Sequence, residues 1–210
     1  MLLRFVGVGK YFSLAYLKEY SEHFKHFIDK YYWSSVVVFI AGYAALIALG
    51  FPSVGPLTLL GGFLFGFLPG AGYAVIAGTI GSIITFFVIR YYFGTTLQKK
   101  YQEKLEKFNK QIHEHGISYL LMLHFLTVVP YFFINSLAAL TNVPFWTFLW
   151  TTIVGSIPLA LIYSFAGLKL SEVERMKDIF SPGLIAVMIV LILLALMPIL
   201  IKRYKKQLKI

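Results

Sequence analysis

Cysteine is absent from the 210-residue chain, which excludes disulfides, thiolate nucleophiles and thiolate metal ligands. Acidic residues are scarce: there are nine, and none lies between Asp29 and Glu103 or between Glu114 and Glu172. Charge of either sign is missing from long stretches. Arg90 alone interrupts the uncharged run from Tyr31 to Gln98, and 116–168 and 183–201 contain no Asp, Glu, Lys or Arg. A soluble domain of this length distributes charge along the outer faces of its helices; this chain does not. With 59% hydrophobic residues and a mean hydropathy of +0.76, it reads as an integral membrane protein. Metal-ligand spacing, a nucleophile elbow and a phosphate-binding loop are missing too, so no enzyme, cofactor or metal centre is expected.

The charge that is present is mostly basic, giving a net +10. Because Lys and Arg sit in the flanks of the apolar runs, anionic headgroups are the expected partner, and nucleic acid is not. At the start of the chain, Phe12, Tyr16, Tyr20, Phe24, Phe27 and Tyr31 recur every three or four residues. That spacing predicts an amphipathic interfacial helix over 1–32 rather than a cleaved signal. Residues 33–51, 71–93, 145–168 and 183–201 are each long enough to span a bilayer. The run Pro56–Leu68 is too short, and 117–142 is broken at Pro130; both read as re-entrant hairpins. A polar linker, 95–116, separates them, and its Glu103–Lys107 and Glu106–Lys110 pairs suit a solvated helix. A basic tail, 202–210, follows the last span.

Basic residues concentrate on cytoplasmic sides of membrane proteins. Four spans plus two hairpins put 16 of the 19 on one side, leaving Lys169, Arg175 and Lys177 opposite. The expected fold is therefore an all-α polytopic membrane protein with cytoplasmic termini, most simply in the plasma (inner) membrane. The two hairpin-plus-span blocks, about 53–94 and 117–168, also resemble each other. Pro56 precedes Gly81-Ser82-Ile83 as Pro130 precedes Gly155-Ser156-Ile157. A block that ends opposite its starting side forces two consecutive blocks to be inverted, as in many transporters.

Six residues stand out as candidates for contact with a substrate. Gly62 and Gly66, with Gly61, allow close packing or expose backbone N–H groups at a hairpin tip. Arg90 either snorkels toward the polar linker or contacts phosphate. His124 and Asn135 flank Pro130, which breaks the helical ladder and frees carbonyls. Asn135 and Thr127 can serve those carbonyls; His124 can act as a titratable member of the path.

These residues carry a resemblance. Pro56 to Gly66, Ala77 to Ser82 and Arg90 to Gly94 resemble the first half of the DedA superfamily, and most closely its VTT-domain branch, often called SNARE-associated Golgi proteins. Val129-Pro130, Asn135 with Ala138, Phe148, Gly155, Pro158 and Gly167 follow that branch's order in the second half. The match covers roughly 50–168. It implies two inverted re-entrant-plus-span units that move lipids between leaflets. The chain departs from the pattern at His124 and Thr127, where Arg and Pro are usual, and at Ala139, where glycine is. Its first hairpin also lacks acids, which weighs against proton coupling.

The expected function is a lipid transporter or scramblase for phospholipid or polyprenyl-phosphate headgroups. A small-solute transporter and a membrane scaffold that recruits partners through 95–115 and the basic tail are the rivals, and a homo-oligomer is compatible with each.

Overall fold

The structure is a computed structural model that describes residues 27–115, 117–125 and 131–173, with short helical pieces between 182 and 193. Most of the expected 1–32 helix, the 183–201 span, the basic tail, Thr127 and Pro130 lie outside the described residues. Within them every regular element is helical. The order is α1 (Tyr32–Ala48), α2 (Val54–Phe65), α3 (Phe67–Val88), a π-helical turn (Ile89–Phe93), α4 (Gly94–Lys100), α5 (Gln102–His115), α6 (Ile117–Phe125), α7 (Tyr131–Leu140) and α8 (Phe145–Ser171).

Two helical stretches, Phe67–Phe93 and Phe145–Ser171, are long and apolar enough to cross a membrane. Each has 27 residues, about 40 Å at 1.5 Å per residue. Together with the family match reported below, they make this an all-α membrane protein. Helix α2 has 12 residues, α6 has nine and α7 has ten. Those lengths, about 14–18 Å, fall well short of a hydrocarbon core of about 30 Å.

Local sequence explains where the chain turns. Helix α1 ends in a Schellman motif: Gly50 sits at φ 81°, its N–H reaches Ile47 O, and Phe51 N–H reaches Leu46 O. Between α2 and α3 the break is a single residue, Gly66, at φ 85° and ψ 178°. That region is open essentially to glycine alone. Gly61 and Gly62, which read from sequence as part of a hairpin tip, instead lie inside α2. A Cβ on Gly70 would stand 2.5 Å from Gly61 O, so this pair lets α2 and α3 fold against each other.

The hairpin helices cross over. Helix α2 packs mainly on α8 and α7 packs on α3, each on the long helix of the other block. Small residues seat the remaining neighbours. A Cβ on Gly81 would lie 2.7 Å from Ala44 O in α1, and one on Gly155 would lie 2.6 Å from His124 Cβ in α6. The apolar core joins Phe86, Phe148, Ala138, Ala139 and Leu120, with Phe86 and Phe148 stacked at 4.5 Å.

The polar linker is two helices hinged at Tyr101 rather than one solvated rod. Leu105 and Phe108 of α5 are buried in that core, a docked face that the charge pattern hid. Among the described residues, α5 carries a Lys110–Glu114 ion pair at 3.8 Å and a Gln102–Glu106 hydrogen bond at 3.0 Å, not the two pairs expected from spacing. Exposed pairs contribute little, so their register is weakly specified.

Candidate functional site

A cavity of about 180 Å³ lies between the 50–55 connection and the α6–α7 region, lined by Gly50, Phe51, Val54, His124, Tyr131 and Phe132. A smaller one of about 50 Å³ continues from it past Tyr43, Thr58, Ser156 and Tyr163. Val54, His124, Tyr131 and Leu159 line both. Among the described residues, no Lys, Arg, Asp or Glu lines either. Exposed Phe51 and Pro52 stand at the mouth of the larger one.

His124 is only 4% exposed, and its Nδ1 is 2.9 Å from Leu120 O. A carbonyl only accepts, so Nδ1 carries the hydrogen. Its Nε2 is buried without a partner among the described residues. The ring meets Tyr131 edge-on at 5.7 Å. Asn135 is fully buried and donates through Nδ2 to Ser82 Oγ at 2.9 Å, while its Oδ1 has no partner among the described residues. Tyr131, one turn earlier on α7, sits with its hydroxyl 3.9 Å from where a Cβ on Gly78 would stand.

Arg90 goes elsewhere. Its Nε donates to Ala139 O at 2.9 Å, and Nη2 reaches Thr141 O at 2.7 Å, Val143 O at 3.0 Å and Ala138 O at 3.2 Å. The guanidinium also lies 4.3 Å from the centre of the Phe86 ring. Gln98 Nε2 donates to Leu140 O at 3.0 Å, and Thr141 Oγ1 to Leu137 O at 2.8 Å. The last four carbonyls of a helix have no intrahelical partner, and here all four of α7 are served by side chains.

The first block has a matching contact. Ser164 Oγ donates to Phe67 O at 2.6 Å and approaches Gly66 O at 3.4 Å. Arg90 and Ser164 are 74 positions apart, as are their acceptors Phe67 and Thr141, and as are Pro56 and Pro130. Residues related by that offset hold each other's hairpin ends.

The glycines divide by cause. Gly62 lies directly on the Ser164 backbone of α8, and Gly167 directly on Leu59 of α2. Gly66 has open space where its Cβ would stand, so its requirement is the backbone angle, not packing. The structure therefore brings His124 to the cavity and sets Asn135 one turn beyond Tyr131. It places Gly62 in a helix crossing and gives Arg90 to a helix end. Tyr131, Tyr43, Thr58 and Gly50 escaped sequence reading because aromatic and small residues are common in apolar runs. The alignment of Gly50 with His124 at the 74-residue offset was the available signal.

A family model described as the VTT domain matches residues 51–169. The chain is 29% identical over 194 residues to the Transmembrane protein 41 homolog of Dictyostelium discoideum, covering 90% of this chain and 58% of that one. It is 25% identical over 194 residues to an uncharacterized membrane protein of Arabidopsis thaliana, covering 91% and 68%. Transmembrane protein 41B of Mus musculus is 27% identical over 183 residues, covering 85% and 62%. The chain thus spans about three fifths of the length of the first and third of these relatives. No solved structure matches.

Proposed function

This chain belongs to the VTT domain family, and we propose that it moves lipid headgroups between leaflets by a binding path, without covalent chemistry. The observation that carries this reading is the cavity where the two blocks meet. There the Nε2 of His124, buried and without a partner among the described residues, lies behind a mouth rimmed by exposed apolar residues. A headgroup entering there keeps its acyl tails outside, which lowers the many kcal/mol cost of taking a polar group through hydrocarbon. The short helices α2, α6 and α7 suit hairpins that enter and leave on one side. The reciprocal Arg90 and Ser164 contacts suit two inverted copies of one unit. Arg90 enters this reading as the clamp on the second hairpin, while His124, Tyr131 and Asn135 form the path.

The decisive experiment is a leaflet-resolved lipid-movement assay in proteoliposomes. Movement above the protein-free rate, reduced in His124→Phe, supports the reading. Saturable uptake of a soluble solute with no lipid movement would replace it with solute transport. Loss of function on deleting 95–115 alone, with the cavity variants silent, would replace it with a scaffold.

The proposed orientation has residues 95–115 in the cytoplasm and the chain in the plasma membrane. Because the sequence contains no cysteine, single cysteines at 104, 173 and 206 can be labelled in intact cells. An impermeant thiol reagent is expected to reach 173 only; labelling at 104 would overturn this orientation.

A further inference from the structure

We infer that the cavity beside His124 presents a hydrogen-bond acceptor to its ligand, and so takes the hydroxyl- or ammonium-bearing end of a headgroup rather than its phosphate. This inference rests on the lipid-transport reading above.

The hydrogens of the cavity wall are largely committed to the protein itself. His124 gives its Nδ1 hydrogen to Leu120 O. Thr58 Oγ1 donates to Val54 O at 2.7 Å, so the 2.9 Å contact between Tyr43 and Thr58 takes its hydrogen from the tyrosine. Ser156 Oγ donates to Ile153 O at 2.9 Å. Buried, and with no acid among the described residues that line either cavity, the ring is kept neutral, so what remains at His124 is the Nε2 lone pair, an acceptor. It is 96% buried by residue and unpartnered among the described residues. One turn past Tyr131 and outside the lining of both cavities, Asn135 Oδ1 is another buried acceptor without a partner among the described residues. Tyr131 and Tyr163 bring hydroxyls able to act either way.

A phosphate diester offers only acceptors and negative charge, and it would meet acceptors here. The arginine that could hold it is engaged at the end of α7. A hydroxyl or ammonium group supplies the missing hydrogen, and Tyr131, Phe132 and Phe51 add aromatic rings to the lining, which suit an ammonium. The larger cavity, about 180 Å³, has the volume of about six waters at about 30 Å³ each, enough for such an end group.

Four lipids with the same acyl chains separate donor, cation and phosphate. Phosphatidylethanolamine has a donor and a cation, phosphatidylglycerol donors only, phosphatidylcholine a cation only, and phosphatidylmethanol neither. Competition among them in proteoliposomes is expected to favour the first two over the last two by roughly tenfold, the worth of one good hydrogen bond. His124→Phe keeps a ring against Gly155 and Tyr131 and removes the acceptor; it is expected to level the four rates. Excess free ethanolamine is expected to leave movement unchanged. Equal movement of all four by the wild type overturns donor recognition but leaves transport standing. Preference for phosphatidylmethanol and phosphatidylcholine overturns it likewise. Inhibition by free ethanolamine without lipid preference assigns the cavity to a soluble amine. Movement of none of the four overturns the transport reading, and this inference with it. If His124→Phe does not fold, the wild-type panel still decides.

Discussion

The ends of α2 and α7 solve one problem in two ways. Each is the end of a short helix packed against its neighbours, where buried carbonyls need donors from the protein. After α2 the chain reverses at Gly66 alone and resumes as a helix. Gly66 N–H returns to Gly62 O, Gly70 N–H reaches Gly66 O, and one serine covers Phe67 O. After α7 the chain runs through Thr141, Asn142, Val143 and Pro144 before α8 begins. That longer link leaves six carbonyls from Leu137 to Val143 in need of donors. Arg90, Gln98 and Thr141 supply them. A one-residue glycine break needs little help; a four-residue link needs a guanidinium fork.

Removing the fork tests this most severely. Arg90→Ala would strip the side-chain donor from the carbonyls of Ala139, Thr141 and Val143 at once and leave Ala138 O only Thr141 Oγ1 at 3.3 Å. Each unserved buried acceptor costs about 1–3 kcal/mol, so the loss is expected to be on the order of 3–5 kcal/mol, near the whole margin of many folds. Thermal melting in detergent measures it. Arg90→Lys keeps the charge but has no planar fork, and is expected to recover less than half of the loss. A Lys variant as stable as wild type would mean that charge alone matters there.

The glycine break is the next target. Gly66→Ala adds a methyl into open space yet forces an alanine to φ 85°, ψ 178°, at an expected cost of about 1–3 kcal/mol. Gly72 in α3 also has open space and lacks the positive φ. Gly72→Ala is therefore expected to be neutral or stabilising by about 0.5–1 kcal/mol. Equal melting shifts for the two variants would remove backbone conformation as the reason for Gly66.

Parts of this contrast can be read from sequence and parts cannot. The charge-free runs, the weak place at Gly66 and the 74-residue offset are legible, because hydropathy and glycine punctuation are local. Arg90's role is not: its four acceptors lie 48 to 53 residues away, and backbone carbonyls leave no mark in side-chain identity. Gly62 and Gly66 look alike in sequence, yet one needs room and the other needs an angle. Leu105 and Phe108 hide among the lysines of α5 because a mixed-charge helix with one docked face resembles a solvated one. His124 is visible as the lone histidine of its apolar run. Its acceptor character follows from two features of the fold, the bond that Leu120 O imposes on Nδ1 and a burial without acids that keeps the ring neutral.

The mildest break is at Ser164. Its side chain is fully buried, and Gly62 of α2 lies on its backbone, so alanine fits without moving either helix. Ser164→Ala removes the hydroxyl that serves Phe67 O at 2.6 Å. Gly66 O keeps its bond from Gly70 N–H at 3.0 Å, and Phe67 O, in the first turn of α3, keeps its helical partner, so one hydrogen bond is lost and no carbonyl is stranded. The expected loss is about 1 kcal/mol. Combined with Arg90→Lys it is expected to add nearly linearly, because the two contacts hold different hairpins and share no acceptor. The comparison predicts that Arg90→Ala costs several times more than Ser164→Ala in the same melting assay. If the two variants lost equal stability, the number of carbonyls served at each hairpin end would not set its strength. The offset-related contacts would then be matched in energy as well as in position.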